Sequence, residues 1–188
     1  MKKIILIVAT ILLTMACSKD ENEPKTPTVN NEPFTFLKVG NEWVYEIRDN
    51  PNETTTISIV SEENDYFKVI YNITFEDEYP REFTYYWYTD SGNYWKNDIL
   101  DVGMDGIIWL YKNSYVGQIW EPENSVICTI EVVSVSERVV VPAGTFNNCI
   151  KIKKTNIYGI VGYIWIHKDV GQIMGTLPPL KLKSKNFK

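Results

Sequence analysis

Few side chains in this chain could carry a reaction. The single histidine, His167, precedes Lys168 and Asp169 at the end of a strand-like run. A general base needs a positioned partner and substrate, and this histidine reads as a rim residue bonded to a neighbour. No Gly-x-Ser-x-Gly elbow occurs, which leaves an α/β-hydrolase triad without support. No glycine-rich phosphate loop occurs either. Cys128 and Cys149 lack a second ligand pair at zinc spacing. Carboxylates gather at Glu76, Asp77 and Glu78, and again at Asp98, Asp101 and Asp105. Such loops could offer oxygens to calcium, but the alternating Asp pattern of an EF-hand is absent. Asp101-Val102-Gly103-Met104-Asp105-Gly106 reads as turn chemistry. Two carboxylates from distant strands could serve glycoside hydrolysis, so a carboxylate-dependent hydrolase is the least favoured reading. No catalytic residue, no metal and no cofactor is expected, and the chain reads as a non-enzyme.

Cys17 has more definite chemistry. Met1-Lys2-Lys3 is followed by an apolar run over 4–13, then by Thr14-Met15-Ala16-Cys17 and Ser18-Lys19-Asp20-Glu21. The run is about half of the roughly 20 residues that span a bilayer, so a cleaved signal is the stronger reading. Leu13-Thr14-Met15-Ala16-Cys17 resembles the bacterial lipobox. It departs in one respect, since Thr14 stands three residues before the cysteine, where Leu is usual. The resemblance implies lipidation at Cys17. Two or more acyl chains make a stable anchor, at about 0.8 kcal/mol per buried CH₂. Ser18, Lys19, Asp20 and Glu21 resemble the surface-export signal of Bacteroidota lipoproteins. The expected location is therefore the outer membrane, lipid-anchored and facing outward.

Residues 18–33 contain Pro24, Pro27 and Pro33 and almost nothing apolar except Val29. Such a stretch cannot offset its ordering entropy. It is read as a tether reaching on the order of 50 Å when extended. The folded unit is expected over 34–177, with 178–188 as a frayed basic tail carrying Lys181, Lys183, Lys185 and Lys188. Basic residues number 19 and acidic ones 24, a formal charge of −5, and loss of Lys2 and Lys3 with the leader deepens it. That argues against nucleic acid as a partner.

Those side chains must be positioned by strands. Segments 43–47, 54–60, 66–75, 83–88, 94–100, 107–111, 126–135, 138–141, 150–154, 160–167 and 172–174 carry period-two or β-branched and aromatic patterns. Segment 117–120 adds a short candidate. Over 66–75, Phe67, Val69, Tyr71, Ile73 and Phe75 share one face, while Lys68, Asn72 and Thr74 lie on the other. No helical stripe appears in the mature chain. The prediction is an all-β antiparallel meander of about ten strands. It must curl into a half-barrel or barrel, or else fold as a β-sandwich. Cys128 and Cys149 are an even pair that an oxidising compartment would permit to bridge. Cys128 also suits a buried free thiol on the face of Val126, Ile130 and Val132.

Rings are the functional hint. Tyr85-Tyr86-Trp87-Tyr88 presents aromatics on both faces of one strand, and Trp95, Trp109 and Trp165 add more. Rings on the inner wall of a curved sheet could receive a sugar or an acyl chain. Trp87, Trp95, Trp109 and Trp165 are the candidate contacts.

Three segments carry a family resemblance: Gly40-Asn41-Glu42-Trp43-Val44-Tyr45, then Val141-Pro142-Ala143-Gly144-Thr145-Phe146 with Cys149, then Tyr163-x-Trp165 with Val170-Gly171. Together they resemble the TapB-like envelope lipoproteins, a set without an assigned activity. The resemblance implies a curved antiparallel sheet and no site residues. Pro142 and Gly144 would interrupt the sheet at a bulge or corner where Phe146 packs. The leading expectation is a membrane-anchored envelope lipoprotein whose domain binds glycan, lipid or a partner protein. The alternative is a structural or assembly accessory of the outer membrane.

Overall fold

The structure is a computed structural model that describes residues 34–64, 66–90, 93–97, 107–122 and 126–188. The expected leader, Cys17, the export residues Ser18 to Glu21 and the tether lie outside the described residues, as do Asp98, Asp101 and Asp105.

Among the described residues, twelve strands form one antiparallel sheet. They are β1 (Glu42–Ile47), β2 (Asn50–Glu63), β3 (Tyr66–Thr74), β4 (Arg81–Asp90), β5 (Asn93–Asn97), β6 (Ile107–Leu110), β7 (Ile119–Trp120), β8 (Ile127–Val141), β9 (Gly144–Asn156), β10 (Val161–His167), β11 (Gly171–Thr176) and β12 (Pro179–Asn186). Among the described residues there is no helix. The order across the sheet is β6-β5-β4-β3-β2-β1-β12-β11-β10-β9-β8-β7. Every neighbour in space is a neighbour in sequence except at the β1–β12 seam, which joins the two ends of the described chain. The expected all-β meander is thus present as one curled sheet, which excludes the sandwich. Its edges, β6 and β7, do not pair, so the barrel stays open. Across the gap the Trp120 indole N–H donates to the Ile108 carbonyl at 2.8 Å.

Two corrections concern strands. Residues 179–186 are not a frayed tail but β12. Leu180 stands opposite Ile47 and Leu182 opposite Tyr45, so the leucines enter the concave face while Lys181 and Lys183 take the outer one. Pro179 begins the strand, where its missing N–H matters least. The two patterns read at 126–135 and 138–141 are one strand, β8. Its register against β9 shifts between Val132 and Ser134, between Ser134 and Glu137, and again between Glu137 and Val139, so bulges absorb the polar break. Pro142 and Ala143 form the tight turn of this hairpin, and Phe146 is buried beyond it.

The two cysteines do not bridge. Cys149 carries a free, buried thiol and stands opposite Glu137, whereas the β8 residues flanking Cys128 pair with Asn156 and Thr155. Some six residues of strand, roughly 20 Å, separate the two positions along the hairpin, far beyond disulfide reach. The Cys128 side chain itself is outside the described part. Burial, with a smaller contribution from Glu137, pushes the Cys149 thiol up to about 12.

One end of the curl is plugged. Phe36 meets Trp43 at 6.2 Å and Trp87 at 6.4 Å between ring centroids, both edge to face. Gly171, at φ +83°, lets the Phe36 ring approach to within 3.2 Å of where a Cβ would stand. The Trp43 indole N–H donates to the Val170 carbonyl. Buried Asn41 donates to the Phe36 carbonyl at 2.9 Å and accepts from the Lys188 amide at 3.0 Å, which ties the segment before β1 to the chain end.

Candidate functional site

The opposite end of the curl holds a cavity of about 330 Å³, at the small end of ligand-pocket sizes. The strand alternation that builds the core also builds its walls. On β3, Phe67 and Val69 are buried in the packed half, and the same face continues as Tyr71 and Ile73 along the cavity, with Phe75 beyond the strand end. On β1 the face passes from Trp43 and Tyr45 to Ile47 at the mouth. Ile57, Ile164 and Ile166 form aliphatic wall, and Trp87 and Trp109 lie at its inner part. Tyr71 and Tyr85, cross-strand neighbours, meet edge to face at 4.6 Å, and Tyr71 meets Trp87 at 6.1 Å. The walls are therefore mainly rings and branched aliphatics, apolar surface whose removal from water is favourable in proportion to its area.

A few polar groups sit against this wall. Lys154 reaches from β9, donates to the Leu177 carbonyl at 2.8 Å, and lies 5.7 Å from the Trp109 ring centre. Gly162 makes room for it: a Cβ there would stand 3.1 Å from both Lys154 Cε and Leu177 Cβ. Tyr45 donates its hydroxyl to the Gln172 carbonyl at 2.7 Å. Burial, aided by Tyr71, raises that hydroxyl well above its usual range, so it stays a neutral donor that fixes β11. Arg48 and Asp49, at φ +53° and +59°, make the two-residue turn between β1 and β2. Both take the left-handed form such a turn requires, although neither is glycine or asparagine. The turn places Arg48 on the cavity lining, and Asp49 pairs with Lys181 at 2.6 Å.

Of the four tryptophans named from sequence, the structure brings two together, Trp87 and Trp109. Trp165 is not in the cavity. It lies on the face opposite Ile164 and Ile166, where its indole N–H donates to Glu137 at 3.1 Å and Lys151 stands 4.9 Å from its ring. Trp95 is on β5, opposite Tyr88 and Ile108, and its side chain is outside the described part. Sequence reasoning missed Arg48, Lys154, Gln172 and Leu177. Lys154 and Leu177 carry no pattern signal, because one is a charged residue near the end of β9 and the other sits in the turn after β11.

His167 accepts the Asp169 amide at 3.2 Å on Nδ1 and packs against Phe146, 6.1 Å between rings, away from the cavity lining. Glu76 accepts from Asn50 and Asn52 at 3.3 and 3.1 Å, and Glu78 pairs with Arg81. Among the described residues no cluster of three or more His, Cys, Asp or Glu could hold a metal ion.

The chain is similar in fold to a solved Bacteroides fragilis protein described as exported and as having a YmcC-like fold. The TM-score is 0.55 at 13% identity, covering 82% of this chain and 99% of the other. No family model matches the chain, and no curated protein matches it. At this identity the likeness speaks for the fold alone.

Proposed function

We propose that this chain is an exported, lipid-anchored envelope protein that holds an acyl chain, or a similarly slim apolar molecule, in the open end of its curled sheet. The observation that carries the reading is the cavity of about 330 Å³ walled by Trp87, Trp109, Tyr71, Ile57 and Ile164. At about 30 Å³ per water-sized group, it takes on the order of ten non-hydrogen atoms. The wall chemistry favours lipid over glycan, since a buried sugar would need many more hydroxyl partners than this lining offers. The role is binding, with no bond made or broken. Export is supported by the description of the Bacteroides neighbour. Anchoring and outer-membrane location are supported by the lipobox-like run ending at Cys17 and by the polar residues Ser18 to Glu21. The kinship with TapB-like lipoproteins belongs to the same proposal.

The test is displacement of a fluorescent medium-chain fatty acid from the exported full chain carrying Cys17→Ser, purified without detergent. Parent protein is expected to bind the probe. Ile73→Trp, which fills the cavity from its wall, is expected to abolish binding while thermal melting stays intact. A parent that leaves the probe unbound, or a filled variant that binds it equally well, would overturn the reading.

A further inference from the structure

We infer that the tip of the β9–β10 hairpin is a lipid-inserting element that seats the open end of the sheet on a bilayer surface. The tip reads Ile157-Tyr158-Gly159-Ile160. Tyr158 is 78% exposed, Ile157 55% and Ile160 53%. Turn tips are normally built from small polar residues, so three large apolar side chains in four positions call for a partner.

The donors of the backbone fit lipid as that partner. All four amide N–H groups of the tip are bonded within the protein. Ile157 donates to the Val126 carbonyl at 3.0 Å and Gly159 to the Asn156 carbonyl at 2.9 Å. Tyr158 and Ile160 both donate to Asn156 Oδ1 at 2.9 Å. The Asn156 amide closes the turn on the Ile160 carbonyl at 3.1 Å. Asn side chains make such bonds in water-facing turns as well; here they also leave no amide donor of the tip to be stripped of water on entering lipid. A turn entering lipid needs this, because no solvent there can satisfy its donors. Gly159, at φ +73°, allows the tight shape that aims every donor inward. Tyrosine beside isoleucine also suits the boundary between head groups and chains.

Position adds the third observation. The hairpin turn lies at the cavity end of the sheet. Leu177, 41% exposed, lines the cavity and accepts from Lys154, two residues before Asn156. Lys153 at the base of the tip is paired with Glu131 at 3.2 Å, so insertion rather than attraction to anionic lipid should hold the tip. The inference stands on the hairpin and does not need the cavity to be filled.

The experiment is flotation of the full chain carrying Cys17→Ser with phosphatidylcholine vesicles, repeated with added phosphatidylglycerol and at high salt. The parent is expected to float with neutral vesicles, with little change from anionic lipid or salt. Combining Tyr158→Ser with Ile160→Ser should lower the vesicle partition constant about a hundredfold, at about one decade for each of the two lost side chains, with melting and fatty-acid probe binding unchanged. A parent that does not float, or a variant that floats equally well, would overturn the inference. So would a parent dimer that the variant converts to monomer in light scattering, since the tip would then serve a second copy. Vesicle binding that depends on the tip in a protein that ignores the fatty-acid probe would support this inference and sink the cavity reading alone.

Discussion

Truncating one leucine distinguishes a docked strand from a loose tail. Leu182 is fully buried on β12, opposite Tyr45, with the Ala143 amide donating to its carbonyl at 3.0 Å. Leu182→Ala removes three buried carbon atoms and leaves a hole bounded by sheet. Such changes cost about 2–5 kcal/mol, depending on how far the site collapses. The rigid sheet around Leu182 argues for the middle of that range, about 3 kcal/mol. For a domain of this size each kcal/mol lowers Tm by about 2–4 °C, so the melting point should fall by about 6–12 °C. Lys183→Ala, on the outer face of the same strand, loses an exposed bond to the Pro51 carbonyl and should stay within about 0.5 kcal/mol of the parent. The assay is thermal unfolding followed by circular dichroism. If Leu182→Ala melts within a degree or two of the parent, β12 is not part of the cooperative unit and the seam described here is wrong.

Gly171→Ala should destabilise by about 1–3 kcal/mol, because a Cβ at φ +83° meets the Phe36 ring; urea denaturation at fixed pH measures it. Trp43→Phe should cost about 1–3 kcal/mol by leaving the Val170 carbonyl without its indole donor in a buried place. Stability should decline in alkali. Tyr45 and Cys149 both hold their protons more tightly folded than unfolded, so their contribution is intact below about pH 9, the unfolded thiol value, and is lost as pH rises toward 12. Each group adds a slope of at most about 1.4 kcal/mol per pH unit, and Cys149→Ala should flatten the part that begins near pH 9. The native Cys149 thiol should resist a maleimide at pH 8 and react once the protein is unfolded in guanidinium.

Much of the fold was legible because strand periodicity is a local signal. The alternation of Phe67, Val69, Tyr71, Ile73 and Phe75 identified β3 and the face it buries. The C-terminal strand escaped because Lys181, Lys183 and Lys185 dominate its composition, and only the pairing of Leu180 with Ile47 and Leu182 with Tyr45 shows that the lysines are one face of a strand. The single long β8 was hidden by Ser134, Ser136 and Glu137, which bulges place without ending the strand. The site was half legible for a different reason. Residue type shows that Trp87 and Trp109 are large and apolar, but whether a ring packs, lines a void or faces outward depends on curvature across many strands. Trp165 and Trp109 have similar local patterns and opposite fates. Lys154 and Leu177 meet only because β9 and the β11–β12 turn end at the same height.

A chain-length series tests the central claim most directly. Linear fatty acids of increasing length are titrated against the Cys17→Ser protein by calorimetry. Each methylene that enters the cavity contributes about 0.8 kcal/mol, so Kd should fall about fourfold per carbon and level off near ten carbons, where a volume of about 330 Å³ is filled. Affinity that ignores chain length, or no heat of binding at any length, would contradict the claim that this sheet encloses a lipid site.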